Sequence, residues 1–254
     1  MHRKYQTLVL DILLMVVSNW KTSMVRIFII SYYLTSDPTE TLTNFIVSGL
    51  FKISDGVQRD FALEGIQSIG SSKCAITLKK FNLNGCFQIS HLALKAFATM
   101  TNLEHLVLSG CTKLTLAGLK VIAISCREIS YLSLASCGDC ITNEIIEVMT
   151  DYLHSLQTLI LSDCSKISRR ALKGISRCKN ITHLNLSGCK RVNNEAILAL
   201  CDGIYQEGIK ELFIDRCPCV DDNALVWVVD SLSSKTNRSN STLSLTTLSM
   251  KGTK

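Results

Sequence analysis

Apolar residues recur along this chain in a fixed short pattern that ends in cysteine. In residues 181–192, ITHLNLSGCKRV, an apolar residue is followed by two spacers, leucine, one spacer, leucine, two spacers and cysteine. Further copies begin at Leu78, Leu103, Ile129, Leu156 and Ile209. Because side chains two positions apart share one face of a strand, each copy predicts a short strand with one buried face.

The cysteines that end these copies define a period. They are Cys86, Cys111, Cys137, Cys164, Cys189 and Cys217, spaced 25, 26, 27, 25 and 28 residues apart. A repeat of about 20–29 residues with this signature is typical of a leucine-rich repeat solenoid. One unit cannot bury its own apolar face, so the units must stack, strand beside parallel strand. We therefore predict an α/β horseshoe, with a parallel sheet on the concave face and helices on the convex face.

A residue suited to begin a helix follows the last apolar position of each copy. These residues are Ser54, Ser90, Thr115, Thr142, Ser168, Asn193 and Asp221. Their side-chain oxygens can accept hydrogen bonds from the N–H groups of a helix's first turn. Apolar residues then recur at helical spacing, as in Leu116, Leu119 and Ile122, which predicts a helix of two to four turns in each unit.

The pattern divides the chain into four segments. Residues 42–232 are predicted to be the repeats, and residues 1–41 a degenerate repeat or a divergent F-box-like cap. The polar run 233–242 is predicted to be a mobile loop, and residues 243–254 a final repeat strand without its helix. Such a strand has an open edge, so we expect a partner that covers it or a truncated form of the protein.

The positions of the cysteines and the lengths of the apolar stretches indicate the cellular compartment of the protein. Six of the twelve cysteines occupy one core position, where a thiol acts as a small hydrophobe and needs no oxidation. The apolar stretches 8–17 and 25–34 are shorter than the roughly 20 residues of a membrane span. We therefore predict no membrane association and a reducing compartment, the cytoplasm, with the nucleus or cilium as alternatives.

The charge pattern does not favour nucleic-acid binding. The formal net charge is +6, but the 27 basic residues are scattered and form no run of five or six. No basic patch interleaved with aromatic residues accompanies them. We predict no nucleic-acid partner.

No constellation for catalysis or metal binding stands out. Cys137 and Cys140 form a CxxC pair, but Cys137 already fills the repeat position and no second CxxC could complete a zinc site. His105 and His183 occupy the same strand position three strands apart, about 15 Å, which is too far for shared ligation. We predict a protein that is not an enzyme and has no cofactor and no metal.

The outward-facing strand positions are the candidate binding surface. They are His105, Val107, Tyr131, Ser133, Thr158, Ile160, His183, Asn185, Glu211, Phe213 and Asp215. Exposed aromatic residues with polar surroundings suit protein recognition, because a few such residues carry much of the binding energy. The alternative interpretation is that Val107 and Ile160 are strand-forming residues on a tolerant surface.

The pattern of leucine pairs followed by cysteine, firmest in residues 78–220, resembles the cysteine-containing repeats of the F-box/LRR family. That resemblance implies a horseshoe that captures a substrate for a cullin-type ubiquitin ligase, in ubiquitin-dependent degradation. It also implies a Skp-type adaptor and a cullin as partners, beside the protein bound on the concave face.

An F-box usually opens with Leu-Pro, and residues 1–41 contain no such pair. Similar repeats without an F-box act as scaffolds in mitotic-exit regulation and in the axonemal dynein regulatory complex. An F-box-less scaffold or regulatory subunit is therefore the alternative function.

Overall fold

Eight short strands form one parallel sheet in the part of the chain that the structure describes. The structure is a computed structural model, and it describes residues 44–46, 66–67, 69–72, 75–87, 89–203, 208–236 and 245–253. The strands are β1 (Asn44–Ile46), β2 (Lys80–Asn82), β3 (His105–Val107), β4 (Tyr131–Ser133), β5 (Thr158–Ile160), β6 (His183–Asn185), β7 (Glu211–Phe213) and β8 (Thr247–Ser249). Their order in the sheet is their order in the chain, which confirms the predicted solenoid.

A helix follows most strands and returns the chain to the next one. The α-helices that follow the strands from β2 to β7 are α1 (His91–Leu94), α2 (Leu116–Ser125), α3 (Asn143–Tyr152), α4 (Arg169–Ile175), α5 (Asn194–Gly203) and α6 (Asp222–Thr236). Shorter 3-10 segments lie at Ala75–Thr77, Lys95–Thr99 and Gly138–Cys140. Each α-helix packs against the next. Helix α1 is a single turn, shorter than predicted, because the chain tightens into the 3-10 segment at Lys95.

The core lies between the sheet and the helices. The central residue of each strand from β2 to β7 is buried, as are the apolar residue before each strand and the one after it. On the helix side, Leu119, Ile146, Leu172 and Ile197 occupy equivalent positions and are at most 1% exposed. The alternation of inward and outward residues therefore follows the sequence pattern strand by strand.

The repeat cysteines join neighbouring units through their thiols. All six are fully buried. The Sγ of Cys137 donates to the carbonyl of Leu108 at 3.1 Å, and that of Cys189 donates to Leu161 at 3.1 Å. The same bond to a residue of the preceding unit occurs at Cys111, Cys164 and Cys217. A thiol thus fills a small apolar site and satisfies a buried carbonyl.

The predicted helix starts are in the right places, but their side chains act in two ways. Thr115 accepts a hydrogen bond from the N–H of Gly118, Asn193 from Ala196 and Asp221 from Asn223, as N-caps do. Ser90, Thr142 and Ser168 stand at N-cap positions without that bond. Ser54 lies outside the described residues.

An asparagine in the preceding unit engages two of these helix starts. The amide of Asn143 donates to Ser168 Oγ at 2.9 Å and accepts from the Ser168 N–H at 3.0 Å. Asn194 makes the same pair of contacts with Asp221, at 2.6 and 3.1 Å. Each asparagine opens its own helix, so a polar clamp connects consecutive helix starts.

The turn after each strand requires a left-handed backbone at one position. Gly110 and Gly188 supply it with φ of 73° and 75°, but Ser136, Asp163 and Arg216 adopt it with φ of 53°, 59° and 56°. Glycine reaches this region without strain, whereas a residue with a Cβ does not. Three of the turns therefore carry a backbone strain that the others lack.

Two of the predicted segments lie partly or wholly outside the described residues. Helix α6 continues through Thr236, into the run 233–242 that we predicted to be a loop, because polar residues can extend a helix whose backbone hydrogen bonds are already in place. Residues 237–242 and 1–41 lie outside the described residues. Among the described helices, none has the length and apolar character to cross a membrane.

Candidate functional site

The outward-facing strand residues align in columns across the sheet. The first column pairs Asn44, Lys80, His105, Tyr131, Thr158, His183, Glu211 and Thr247 in register. The second pairs Ile46, Asn82, Val107, Ser133, Ile160, Asn185, Phe213 and Ser249. The register thus brings the predicted surface residues of β3 to β7 side by side.

Two aromatic rings stack in the first column. The rings of His105 and Tyr131 lie 3.9 Å apart between centroids, with an interplanar angle of 4°. Burial, and secondarily the charge of Lys80, lowers the pKa of His105. Both effects favour the neutral imidazole. Together the rings form a flat, preorganised contact area with little conformational freedom to lose on binding.

A second histidine contacts an acidic residue farther along the column. His183 Nε2 lies 3.7 Å from Glu211 Oε1, and His183 Nδ1 lies 2.7 Å from the hydroxyl of Thr182. When the imidazole is protonated, the contact with Glu211 becomes an ion pair. His183 and His105 stand on β6 and β3, three strands apart as predicted.

Apolar side chains in the second column remain partly accessible. Val107, Ile160 and Phe213 are half-buried on β3, β5 and β7. Asn185 stands between the last two and accepts a hydrogen bond from the Ser187 N–H through its Oδ1 at 2.9 Å. The column therefore presents apolar contacts with a polar side chain held between them.

Ser133 does not contribute the exposed contact that we predicted. It is 5% exposed, and its hydroxyl lies 2.7 Å from that of Ser109. The neighbours of Ser133 in its column are Val107 and Ile160, whose larger side chains flank the small hydroxyl. Ser133 therefore supports the surface from within.

The turn beyond β7 holds an acidic residue in a hydrogen-bond network. Asp215 Oδ1 accepts from Ser249 Oγ at 2.6 Å and from the Lys251 N–H at 2.7 Å. Burial opposes ionisation of Asp215, but these hydrogen bonds outweigh it and lower its pKa overall. Asp215 is therefore a fixed negative charge at the β7 end of the surface.

The described residues offer no arrangement for metal chemistry, and the Cys137–Cys140 pair offers no reactive thiol. They include no group of three or more His, Cys, Asp or Glu side chains placed to hold a metal ion. Burial raises the pKa of Cys137 to about 12 and also raises that of Cys140. Cys140 Sγ donates to the Cys137 carbonyl at 3.0 Å, so this CxxC pair is held as protonated thiols.

Two residues of the surface were absent from the predicted set. The charge of Lys80, on the neighbouring strand, lowers the pKa of His105, and the hydroxyl of Thr182 contacts the ring of His183. Lys80 occupies the position of His105 one repeat earlier, so the sequence pattern already places it in the same outward-facing column. Thr182 precedes its strand, and nothing in the period marks it.

Comparison with known proteins supports the repeat architecture. Residues 99–123 and 177–201 match the family model described as Leucine Rich repeat. The chain is similar in fold to a chain in the crystal structure of the Rad7 and Elc1 complex in yeast. That similarity has a TM-score of 0.50 and 17% identity, and it covers 80% of this chain and 63% of that one.

Two curated proteins share part of the sequence. A DNA repair protein of Schizosaccharomyces pombe, rhp7, is 33% identical over 104 residues, which are 39% of this chain and 18% of that protein. The lysine-specific demethylase 2B of Mus musculus is 36% identical over 98 residues, which are 35% of this chain and 8% of that protein. The chain therefore matches a minor part of either relative.

Proposed function

Because the chain is a leucine-rich repeat protein that resembles the F-box/LRR family, we propose that it is a substrate-recognition component of an SCF-type (cullin) ubiquitin ligase. It would act in ubiquitin-dependent protein degradation. The repeats are a protein-interaction module, and in this proposal their concave face binds the protein to be modified.

One observation carries the proposal. The first two columns of β3 to β7 place the His105–Tyr131 stack beside half-buried Val107 and Ile160, with half-buried Phe213 farther along the same sheet on β7. Aromatic anchors with polar neighbours dominate the energy of protein interfaces. A surface built on strands is also preorganised, so little ordering entropy opposes binding.

The relatives support the ligase assignment more weakly. The fold neighbour is a chain in a complex of Rad7 with a second protein, Elc1. We extend that arrangement to this chain as a proposal, with a Skp-type adaptor and a cullin as the assembled partners. The name of rhp7 places that protein in DNA repair. A nuclear substrate would be consistent with such a role and with the proposed ligase function.

A scaffold without an F-box is the second candidate function. The two prolines of the chain, Pro38 and Pro218, follow aspartate and cysteine, so no Leu-Pro pair opens an F-box in residues 1–41. As a scaffold, the chain would bind a stoichiometric partner without an adaptor or cullin, for example in an axonemal or mitotic-exit assembly.

Affinity purification of the tagged full chain separates the two functions. Cells would be treated to block cullin activity, so that bound substrates persist, and captured proteins would be quantified by mass spectrometry. The ligase function predicts adaptor and cullin together with one or more substrates. A stoichiometric partner without adaptor or cullin would reject the ligase and support the scaffold.

Paired variants identify the surface that binds the substrate. Tyr131→Ala with Phe213→Ala removes two concave anchors, and we expect the substrate to be lost while adaptor and cullin are retained. Lys120→Ala with Lys173→Ala changes two exposed residues of the outer helices α2 and α4 and should lose nothing. Equal substrate capture by both double variants would contradict recognition by the concave face.

A further inference from the structure

The second column of the concave face alternates between apolar and polar side chains from strand to strand. Val107, Ile160 and Phe213 stand on β3, β5 and β7, with Ser133 and Asn185 on the strands between them. Neighbouring strands lie about 4.8 Å apart, so successive apolar side chains are about 10 Å apart across the sheet. Any regular partner lying along this column must repeat its own apolar groups at that distance.

An α-helix meets that requirement. Two helical turns advance about 11 Å, so residues seven apart on one face would reach Val107, Ile160 and Phe213 in succession. The intervening turn would lie over Ser133 or Asn185. An extended strand places same-face residues about 7 Å apart and loses register after the first contact.

The width and composition of the surface separate a helix from a polyproline II segment, whose turn of about 9 Å also fits the spacing. From Glu211 in the first column to Asp215 the surface spans four residue steps, about 13 Å, which accommodates the 10–12 Å diameter of a helix with side chains. Proline-rich segments dock in aromatic-lined grooves, whereas two of the three apolar residues in this column, Val107 and Ile160, are aliphatic and only Phe213 is aromatic. The surface therefore favours a helix.

Charge is distributed along the same axis. Lys80 is exposed at the β2 end of the first column, and Glu211 and Asp215 lie at the β7 end. A helix carries partial positive charge at its N-terminus and partial negative charge at its C-terminus. A helix with its N-terminus over β7 would meet opposite charge at both ends.

We propose that the concave face binds an amphipathic α-helix of a protein partner, laid across β3 to β7 with its N-terminus toward β7. The contact from Val107 to Phe213 spans four strand spacings, about 19 Å, which is about 13 helical residues. The proposal rests on the proposed function, because it specifies what the recognition surface takes.

Peptide selection on the immobilised full chain tests the shape of the ligand. One displayed library would hold helix-favouring sequences of about 20 residues, and a second would hold proline-rich and extended sequences of the same length. We expect enrichment from the first library, with apolar residues seven apart and helical circular dichroism in the bound peptide. Enrichment from the second library alone, or from neither, would overturn the helix.

Matched variants place the selected peptide on the surface. Ile160→Ser should weaken its binding by about tenfold or more, as expected for a central anchor. Ile124→Ser changes an isoleucine that is 39% exposed on α2 and should change binding by less than about twofold. Thermal unfolding of both variants would verify that they are folded.

The direction in which the helix lies across the sheet is tested by a separate measurement. A nitroxide at the N-terminus of the selected peptide should broaden the NMR signals of Glu211 and spare those of Lys80. The reverse pattern would overturn the proposed direction.

The peptide experiments and the affinity purification test different claims, so one claim can be rejected while the other stands. An extended peptide that still depends on Ile160 would reject the helix and leave concave recognition in place. Helical peptides indifferent to every concave substitution would reject both. The adaptor and cullin seen in the purification decide the ligase assignment independently of either outcome.

Discussion

The imidazole of His105 lies flat against the ring of Tyr131, with the ring centroids 3.9 Å apart and an interplanar angle of 4°. The two residues are partners in the register of β3 and β4, so the stack follows from the parallel sheet. Lys80 precedes them in the same column. This part of the first column therefore places a positive charge, a titratable imidazole and an aromatic ring side by side, on Lys80, His105 and Tyr131.

Removing the Lys80 charge should move the titration of His105. Burial lowers the pKa of His105 most strongly, and Lys80 lowers it further. In Lys80→Ala we therefore expect this pKa to rise while remaining below its ordinary value of 6.5. NMR titration of the imidazole signals measures it. Lys120→Ala is the matched control on α2, and an unchanged pKa in Lys80→Ala would contradict the coupling.

The same lowered pKa predicts how stability depends on pH. Folded His105 binds a proton less readily than unfolded His105, so the unfolded state takes up more protons on acidification. The free energy of unfolding should be greatest above pH 6.5 and fall as pH drops through that value toward the lowered pKa. Urea unfolding across this range should show a smaller acid loss in His105→Gln. Equal losses in both proteins would contradict this contribution.

Alkylation should discriminate sharply between cysteines. Burial raises the pKa of Cys137 to about 12, while Cys219 is exposed. Only thiolate reacts, so at mildly alkaline pH we expect iodoacetamide to modify Cys219 at least about a hundredfold faster than Cys137. Residue-resolved mass spectrometry measures both rates, which should converge in urea. Comparable rates in the folded chain would show that the repeat cysteines are open to solvent.

A glycine should relieve the strained turn after β4. Ser136 has a φ of 53°, in the left-handed region that Gly110 occupies in the preceding unit. Ser136→Gly should raise the free energy of unfolding by about 1 kcal/mol, because glycine carries no Cβ. Ser136→Ala keeps the Cβ and should change it by less than about 0.5 kcal/mol. Urea unfolding that ranks the two variants equally would argue against strain.

The clamp between consecutive helix starts should contribute measurably to stability. Asn143→Ala removes both the donor and the acceptor that engage Ser168, and it leaves the Ser168 N–H without this bond. We expect a loss of about 1–2 kcal/mol in the free energy of unfolding. Asn143→Asp preserves an acceptor for that N–H and should cost clearly less. A cost in Asn143→Asp equal to that in Asn143→Ala would mean that the clamp bond is unimportant.

Strand placement and register were predictable from sequence because both are consequences of a local period. Leu132 and Leu134 must share a face, and a cysteine recurs at the offset of Cys137 in six units, so stacking leaves one alignment that buries all copies. The columns of the concave face follow directly, and so does the separation of His105 from His183.

Tertiary structure decided what depends on contacts between units. The burial of Ser133 depends on its flanking residues in neighbouring strands, and the clamp of Asn143 on Ser168 joins positions 25 residues apart. The apolar period encodes neither, because each depends on which side chains the adjacent units bring together. The sequence by itself determined the solenoid and the residues that face outward. Only packing between the units decided which of them remain accessible, since neighbouring side chains compete for the same space.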